Sequence, residues 1–261
     1  LLAGGQSLSD LNMEAGDSSH AQIRSRCSNC RRSSSGRSLD QDQSWEDRRG
    51  VSGAGACRGD HEVLAVTGYN SAIIRQLALL IPEEEIVRVD YLSYQHYLTQ
   101  ADRFVLCAGS LSSGRGITQA AQGIVTSMRV NYLFPMTMSD EILNSNPKAR
   151  ICIVGSESGI TGSHDDVYAA GKAAIQAYVE RKPLLHPGQQ LFAIAPSIIE
   201  DCGMTLRRRD LDNLEARRRS HPKQRFLKAI EVARLIHFFL YVDEGYVSGV
   251  TIRMNGGAHT V

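Results

Sequence analysis

The chain has 261 residues, with 29 Lys and Arg side chains against 28 Asp and Glu, a formal net charge of +1 and 42% hydrophobic residues. That length accommodates one large α/β domain or two small ones, and the near-balance of charge supplies no global field to recruit nucleic acid or an anionic membrane. No apolar run approaches the roughly 20 residues needed to span a bilayer, so a soluble protein with no membrane partner is expected.

Residues 1–60 stand apart, because they are rich in Ser, Arg, Asp and Gly and poor in periodic apolar residues. Such a stretch cannot bury enough apolar surface to offset its ordering entropy, which predicts a disordered Ser/Arg-rich tail before a domain over 61–261. Cys27 and Cys30 have the spacing of half a zinc site, but no second pair follows nearby, so no metal site is assigned. Cys107 and Cys152 fall in apolar runs where a reduced thiol behaves as a small hydrophobe, which favours a cytoplasmic location.

Glu62–Thr67 reads as a short apolar strand ending at Gly68, and Ser71–Leu80 as a helix stopped by Pro82. A strand, a tight turn and a helix start form a phosphate-binding arrangement, since unpaired backbone N–H groups point at the turn. Glu85–Asp90 is a second strand, and Arg103–Leu106 a third that leads into Cys107-Ala108-Gly109. Ile117–Leu143 has helical periodicity through Ala121, Ile124, Met128, Tyr132 and Met136, with Pro135 expected to bend or break it. Asn131 lies mid-helix on the apolar side, and a buried amide there must find partners.

The most informative stretch runs from Arg150 to Tyr178. Ile151–Val154 is a buried strand that spills into a small, polar segment before an Ala-rich helix over Val167–Arg181, which is where active sites sit in open α/β sheets. In that helix Tyr168 and Lys172 share one face. An ammonium beside a phenol favours the phenolate and lowers a pKa that starts near about 10. Ser156 adds a hydroxyl at the strand end, with Ser158 as the alternative, and Asp165 and Asp166 are placed to cap the helix.

Gln190–Ala195 is a further buried strand, ending at Pro196-Ser197-Ile198-Ile199. Arg207–Arg209 and Arg217–Arg219 bracket a helical excursion; without interleaved aromatic residues they read as a solvated basic face, and nucleic acid is not an expected partner. Lys228–Tyr241 is an amphipathic helix, and Val247–Met254 closes the sheet.

Ser156, the Tyr168-x-x-x-Lys172 pair and Asn131 together resemble the catalytic set of the short-chain dehydrogenase/reductases. Thr67-Gly68 resembles the start of the family's Thr-Gly-x-x-x-Gly-x-Gly turn, with Ala72 and Ile74 at the later glycine positions. Ala108-Gly109 matches the end of its Asn-Asn-Ala-Gly motif, with Cys107 where an Asn is usual. Pro196-Ser197 stands where the family has Pro-Gly, and Asn255-Gly256-Gly257 is similar to its terminal Asp-Gly-Gly turn. The resemblance covers about 62–261. It implies a doubly wound, Rossmann-like α/β domain with a mainly parallel sheet. Because the interval from Gly68 to Gly109 is too short for two βα repeats, one βα unit is expected to be missing.

The resemblance also implies a function: NAD- or NADP-dependent oxidoreduction that reversibly reduces a ketone or aldehyde to an alcohol, with Asn131, Ser156, Tyr168 and Lys172 as the catalytic residues. The cofactor-binding positions carried over are Thr67, Gly68, Asn70, Ala72, Ile73, Asp90, Ala108, Gly109, Tyr168, Lys172, Pro196 and Ile199. Asp90 would hold the adenosine ribose if it ends the family's second strand. If it ends the third, Arg88 or Arg75 would face a 2′-phosphate, so NAD and NADP both stay open. Glu200 and Asp201 stand near the expected pyrophosphate and must turn outward, with Thr205 as a replacement hydroxyl. The partners implied are a small carbonyl or alcohol substrate and further copies of the chain in a homodimer or homotetramer. The alternative is a catalytically impaired relative that serves as a nucleotide-binding or protein-interaction scaffold.

Overall fold

A computed structural model describes residues 63–81, 85–90, 94–111 and 121–258. The predicted tail over 1–60, with Cys27 and Cys30, lies outside the described residues, as does the predicted helix start at Ile117.

Six parallel strands form one sheet: β1 (Val63–Thr67), β2 (Glu85–Arg88), β3 (Arg103–Leu106), β4 (Arg150–Val154), β5 (Gln190–Pro196) and β6 (Val250–Met254). Their order across the sheet is β2-β1-β3-β4-β5-β6. The order reverses at β1, so the crevice beyond the C-terminal ends of β1 and β3 is a topological switch point, where open α/β sheets bind ligands. Among the described residues a single strand, β2, lies between β1 and β3 in the chain, in place of the two the family resemblance implies. The expected loss of one βα unit is therefore present in the topology.

Alternation along each strand sends successive side chains to opposite faces. Leu64, Val66, Val105, Cys152, Val154, Phe192 and Ile194 meet in one buried cluster, and Ala65, Phe104, Leu106, Ile151, Ile153, Leu191 and Ala193 in another. Two helices, α1 (Ala72–Ala78) and α8 (Ala229–His237), supply Ile73, Leu77, Val232 and Ile236 to the first cluster. The second is closed by α3 (Phe134–Ser145) through Met138, Ile142 and Leu143 and by α5 (Asp166–Arg181) through Ile175 and Val179. Covering both faces is what allows strands with almost no polar alternation to be stable in a parallel sheet.

Several boundaries differ from the sequence reading. The second strand stops at Arg88, leaving Asp90 two residues beyond it. The predicted long helix is divided: α2 (Ala121–Met128) passes through a π-helical turn, Arg129–Leu133, into α3, and Pro135 sits in the first turn of α3. Pro135 lacks an N–H, and the first turn of a helix is where none is required, so it is tolerated there without ending the helix. The amphipathic C-terminal helix likewise ends α8 at His237 and continues as a π turn, Phe238–Val242.

Candidate active site

Tyr168 and Lys172 are carried by α5, whose start is fixed by Asp165: its carboxylate accepts the Tyr168 N–H at 2.9 Å. This N-cap sets where the helix begins and so which way Tyr168 points. Tyr168 and Lys172 are both buried, with 9% and 4% of their surfaces exposed. Glycine at 171 permits close packing, since a Cβ there would lie 3.0 Å from the Asn131 Cβ and one of the two would have to shift. The backbone of α5 thus comes within contact distance of the π turn, and Asn131 and Lys172 are brought to the same place.

Asn131 is fully buried at the centre of that π turn. The turn is closed by the Phe134 N–H reaching back to the Arg129 carbonyl, one residue further than an α-helix allows. The Asn131 amide donates to the Ser110 carbonyl at 2.7 Å and to the Ser127 carbonyl at 2.9 Å, and its oxygen accepts the Ser110 N–H at 3.2 Å. These bonds pin the segment after β3 against the helix. The position Cβ would take on Gly109 lies 3.6 Å from the Asn131 amide oxygen, 3.9 Å from Lys172 Nζ and 3.5 Å from Met204 Cε on α6 (Gly203–Leu206).

Ser156 lies two residues beyond the end of β4, after Gly155. Its hydroxyl accepts the Ser158 N–H at 3.1 Å, and its carbonyl accepts an amide N–H of Gln176 on α5 at 2.6 Å. The Ser156 hydroxyl lies near enough to the Tyr168 phenol to counter part of that group's upward shift. Of the two candidate serines, Ser156 is therefore the one that acts on Tyr168, while Ser158 opens the short helix α4 (Ser158–Thr161).

The electrostatics depart from the sequence expectation. Burial pushes the Tyr168 phenol above its ordinary value, and the Ser156 hydroxyl only partly opposes it. Lys172 does not lower it as expected: Nζ lies 5.8 Å from the centre of the Tyr168 ring and donates instead to the Val154 carbonyl at 2.8 Å. Burial brings the Lys172 ammonium itself down to about 8. Desolvation outweighs mutual stabilisation because both groups are almost fully removed from water.

The positions predicted to bind a cofactor divide into two groups. Thr67 ends β1, and its hydroxyl accepts the N–H groups of Cys107 at 3.0 Å and Ala108 at 3.2 Å. Gly68 has φ +63°, and a Cβ on it would lie 2.7 Å from the Ala108 nitrogen, so the turn packs directly on the end of β3. Ala72 and Ile73 direct their side chains into the core beside Ile74, which leaves only their backbone for a ligand. Ser71 caps α1 by accepting the Ile74 N–H at 3.1 Å, and its hydroxyl lies 3.3 Å from Cys107 Sγ. Asn70 is exposed, and its carbonyl accepts Arg75 Nη1 at 2.8 Å. The Arg88 guanidinium stacks 3.8 Å from the centre of the Tyr69 ring, while Asp90 is exposed.

Pro196 is the last residue of β5, and Ile199 forms an isolated parallel bridge with Leu227. That bridge uses the Ile198 carbonyl and the Glu200 N–H, so the N–H and C=O of Ile199 face away from Leu227. Asp201 is turned outward as required: its carboxylate accepts the Ala229 N–H at 2.9 Å, at the start of α8. Thr205 lies 3.7 Å from Cys202 through its hydroxyl.

The residues present fit a nicotinamide nucleotide by the chemistry of their donors and acceptors. A buried ammonium with donors beyond its bond to Val154 suits a pair of ribose hydroxyls, and the outward N–H and C=O of Ile199 suit a carboxamide. At the phosphate end only the first glycine of the turn, Gly68, is retained, and Ser71 and Cys107 face each other across it.

No family model matches this sequence, and neither does any curated protein. The fold is matched by solved structures. A short-chain dehydrogenase/reductase from Brucella melitensis described as glucose/ribitol dehydrogenase has a TM-score of 0.64 at 20% identity, over 77% of this chain and 97% of that one. Levodione reductase gives a TM-score of 0.67 at 19% identity, over 75% and 96%. A variant of actinorhodin polyketide ketoreductase, determined with NADPH, gives 0.65 at 16% identity, over 77% and 98%. The chain has the short-chain dehydrogenase/reductase fold. Within that fold Tyr168, Ser156, Lys172 and Asn131 cluster where β3 and β4 end.

The sequence reading missed one group at this site. Glu157, next to Ser156, is buried and paired with Arg253 and Asn255 at the end of β6. A carboxylate directly after a buried apolar strand was the available signal, but its partners are almost a hundred residues away.

Proposed function

We propose that this chain is an NAD(P)-dependent short-chain dehydrogenase/reductase that reversibly reduces a ketone or aldehyde to an alcohol. The observation that carries the reading is the convergence of Tyr168 and Ser156 with Lys172 and Asn131 beside Gly109 at the switch point of the sheet. A nicotinamide cofactor, when bound, supplies or accepts the hydride. The chain's own residues handle the proton and the developing charge.

Tyr168 is assigned the general acid that protonates the developing alkoxide, and in the reverse direction the general base. A phenol held above its ordinary value is fully protonated at neutral pH, which suits the acid role. Ser156 is assigned the donor that polarises the carbonyl oxygen, and its anchored backbone keeps the hydroxyl in place before reaction begins. Lys172, titrating near 8, still carries its charge in most molecules at pH 7 and is assigned the ribose hydroxyls. Asn131 is assigned the upkeep of a water relay to Lys172, from a position braced by Ser110 and Ser127. The working unit is assigned to 61–261, acting in the cytoplasm as a homodimer or homotetramer on a small carbonyl or alcohol substrate.

The test is a carbonyl and alcohol panel run with NADH, NADPH and their oxidised forms. Tyr168→Phe is expected to lower turnover by about 10²–10⁴-fold with an unchanged circular dichroism spectrum. A fully active variant refutes the assignment. The scaffold reading is favoured by one feature, the Ser71 and Cys107 side chains meeting across the phosphate turn. In its protein-interaction form it predicts that titration with either reduced nucleotide gives no binding.

A further inference from the structure

Glu157 occupies an unusual position. Only 5% of its surface is exposed, and it follows Ser156 in the chain. Its carboxylate accepts hydrogen bonds from Arg253 Nε at 3.2 Å, from Arg253 Nη2, and from the Asn255 amide at 3.1 Å. Its own N–H donates to the Pro196 carbonyl at 2.9 Å, and one residue further along β5 the Ser197 N–H donates to the Met254 carbonyl at 3.1 Å. The ends of β4, β5 and β6 are thus joined at one residue, and Ser156 projects from that joint.

Charge gives this arrangement a second consequence. A bare carboxylate one residue from Ser156 would oppose both the phenolate of Tyr168 and negative charge on a substrate oxygen. The guanidinium of Arg253 neutralises it where it stands, and the bidentate geometry fixes its direction as well as its charge. An apolar stitch between β4 and β6 would hold the sheet together equally well, since buried ion pairs are seldom better for stability than apolar packing of the same volume. What an apolar stitch would not provide is a directional anchor on the residue after Ser156.

We propose that Glu157, Arg253 and Asn255 form a positioning unit that fixes Ser156 for the reaction proposed above. The inference rests on that reading for its kinetic arm and is independent of it for its spectroscopic arm. The decisive variant is the double replacement Glu157→Met/Arg253→Met, compared with Glu157→Gln and Arg253→Met singly.

Both charges leave together in the double variant, so its thermal midpoint is expected to stay close to that of the starting protein. Its kcat is nonetheless expected to fall on the order of 10- to 100-fold, as for a misplaced reacting group, with little change in the Kd for NADH or NADPH measured by fluorescence titration. Recovery of both the midpoint and kcat in the double variant would overturn the proposal, because the trio would then be only a sheet fastener. If Arg253→Met alone fails to fold, Glu157→Gln carries the single-variant comparison, since it keeps the side chain's size and one acceptor.

The spectroscopic arm uses protein labelled with 3-fluorotyrosine, with the Tyr168 resonance assigned by its loss in Tyr168→Phe. Loosening Ser156 withdraws the hydroxyl that favours the phenolate, so the Tyr168 titration is expected to move to higher pH in the double variant. An unmoved titration would overturn the positioning role even if no carbonyl substrate is turned over. A moved titration in a protein without turnover would support the positioning unit while counting against the proposed reaction.

Discussion

Replacing Lys172 by Met is expected to stabilise the protein at pH 7 while removing its activity. Burial lowers the ammonium from 10.5 to about 8, so below pH 8 the folded chain carries a charge that it holds less favourably than the unfolded chain does. At about 1.4 kcal/mol per pH unit, that difference corresponds to roughly 3 kcal/mol of lost stability. Methionine fills similar volume without the charge, but it leaves the Val154 carbonyl without the donor now 2.8 Å away. Losing that bond leaves a buried carbonyl unsatisfied and costs about 1–3 kcal/mol, so the net gain is at most about 2 kcal/mol.

The sign of the pH dependence follows from the same shift. Below the folded value near 8 both states are protonated, and the penalty is present in full. Between about 8 and 10.5 the folded protein loses its proton before the unfolded chain does, so the penalty fades as pH rises. The advantage of Lys172→Met should therefore be complete at pH 7 and gone near pH 10.5, where the cost of the lost bond outweighs what remains of the penalty. Urea denaturation of both proteins across this range measures it, and titrations of other groups cancel in the difference. A thermal midpoint at pH 7 raised by at most roughly 4–8 °C would be the corresponding signature for a domain of this size. A variant that is less stable at pH 7, or whose gain does not change with pH, would refute the reasoning.

Gly171→Val should push α5 away from Asn131, costing about 1–3 kcal/mol by overpacking and lowering kcat together with the urea midpoint. Asp201→Ala should cost about 1 kcal/mol by uncapping α8, and a Kd for reduced nucleotide unchanged from the parent would show that Asp201 faces away from the phosphates. Sedimentation should show a dimer or tetramer, and a monomer at all concentrations would count against the proposed homo-oligomer.

Much of the fold was legible in the sequence because the strands are uniformly apolar and the sheet is parallel. Arg103–Leu106 was bounded correctly, and the other strands within a few residues, since β-branched runs bounded by Gly, Pro or Asp leave little choice. Tyr168 and Lys172 were legible through helical spacing, and Asp165 through its capping position. The shortened first half was readable from the short interval between Gly68 and Gly109 once the family resemblance supplied the expected length.

Other features are set by tertiary contacts that local pattern does not encode. The π turn at Asn131 follows an ordinary amphipathic sequence and is visible only in its hydrogen bonds. The Tyr168 shift reversed sign because local reasoning placed the phenol beside an ammonium without counting the water that both lose on burial. Asp201 looked like a misplaced charge near a diphosphate until its partner at the start of α8 was known. Glu157 had no local partner to announce it.

The π turn at Arg129–Leu133 also sets helical phase. It accommodates one residue more than an α turn would, so everything after it is rotated by about 100° relative to an uninterrupted helix. Met138, Ile142 and Leu143 reach the core only in that rotated phase. Deleting one residue from the turn would restore a regular helix and at the same time swing those side chains off the sheet. Asn131 and the underside of α3 are therefore bound to a single residue count, and the site cannot lose its irregularity without the core losing its fit.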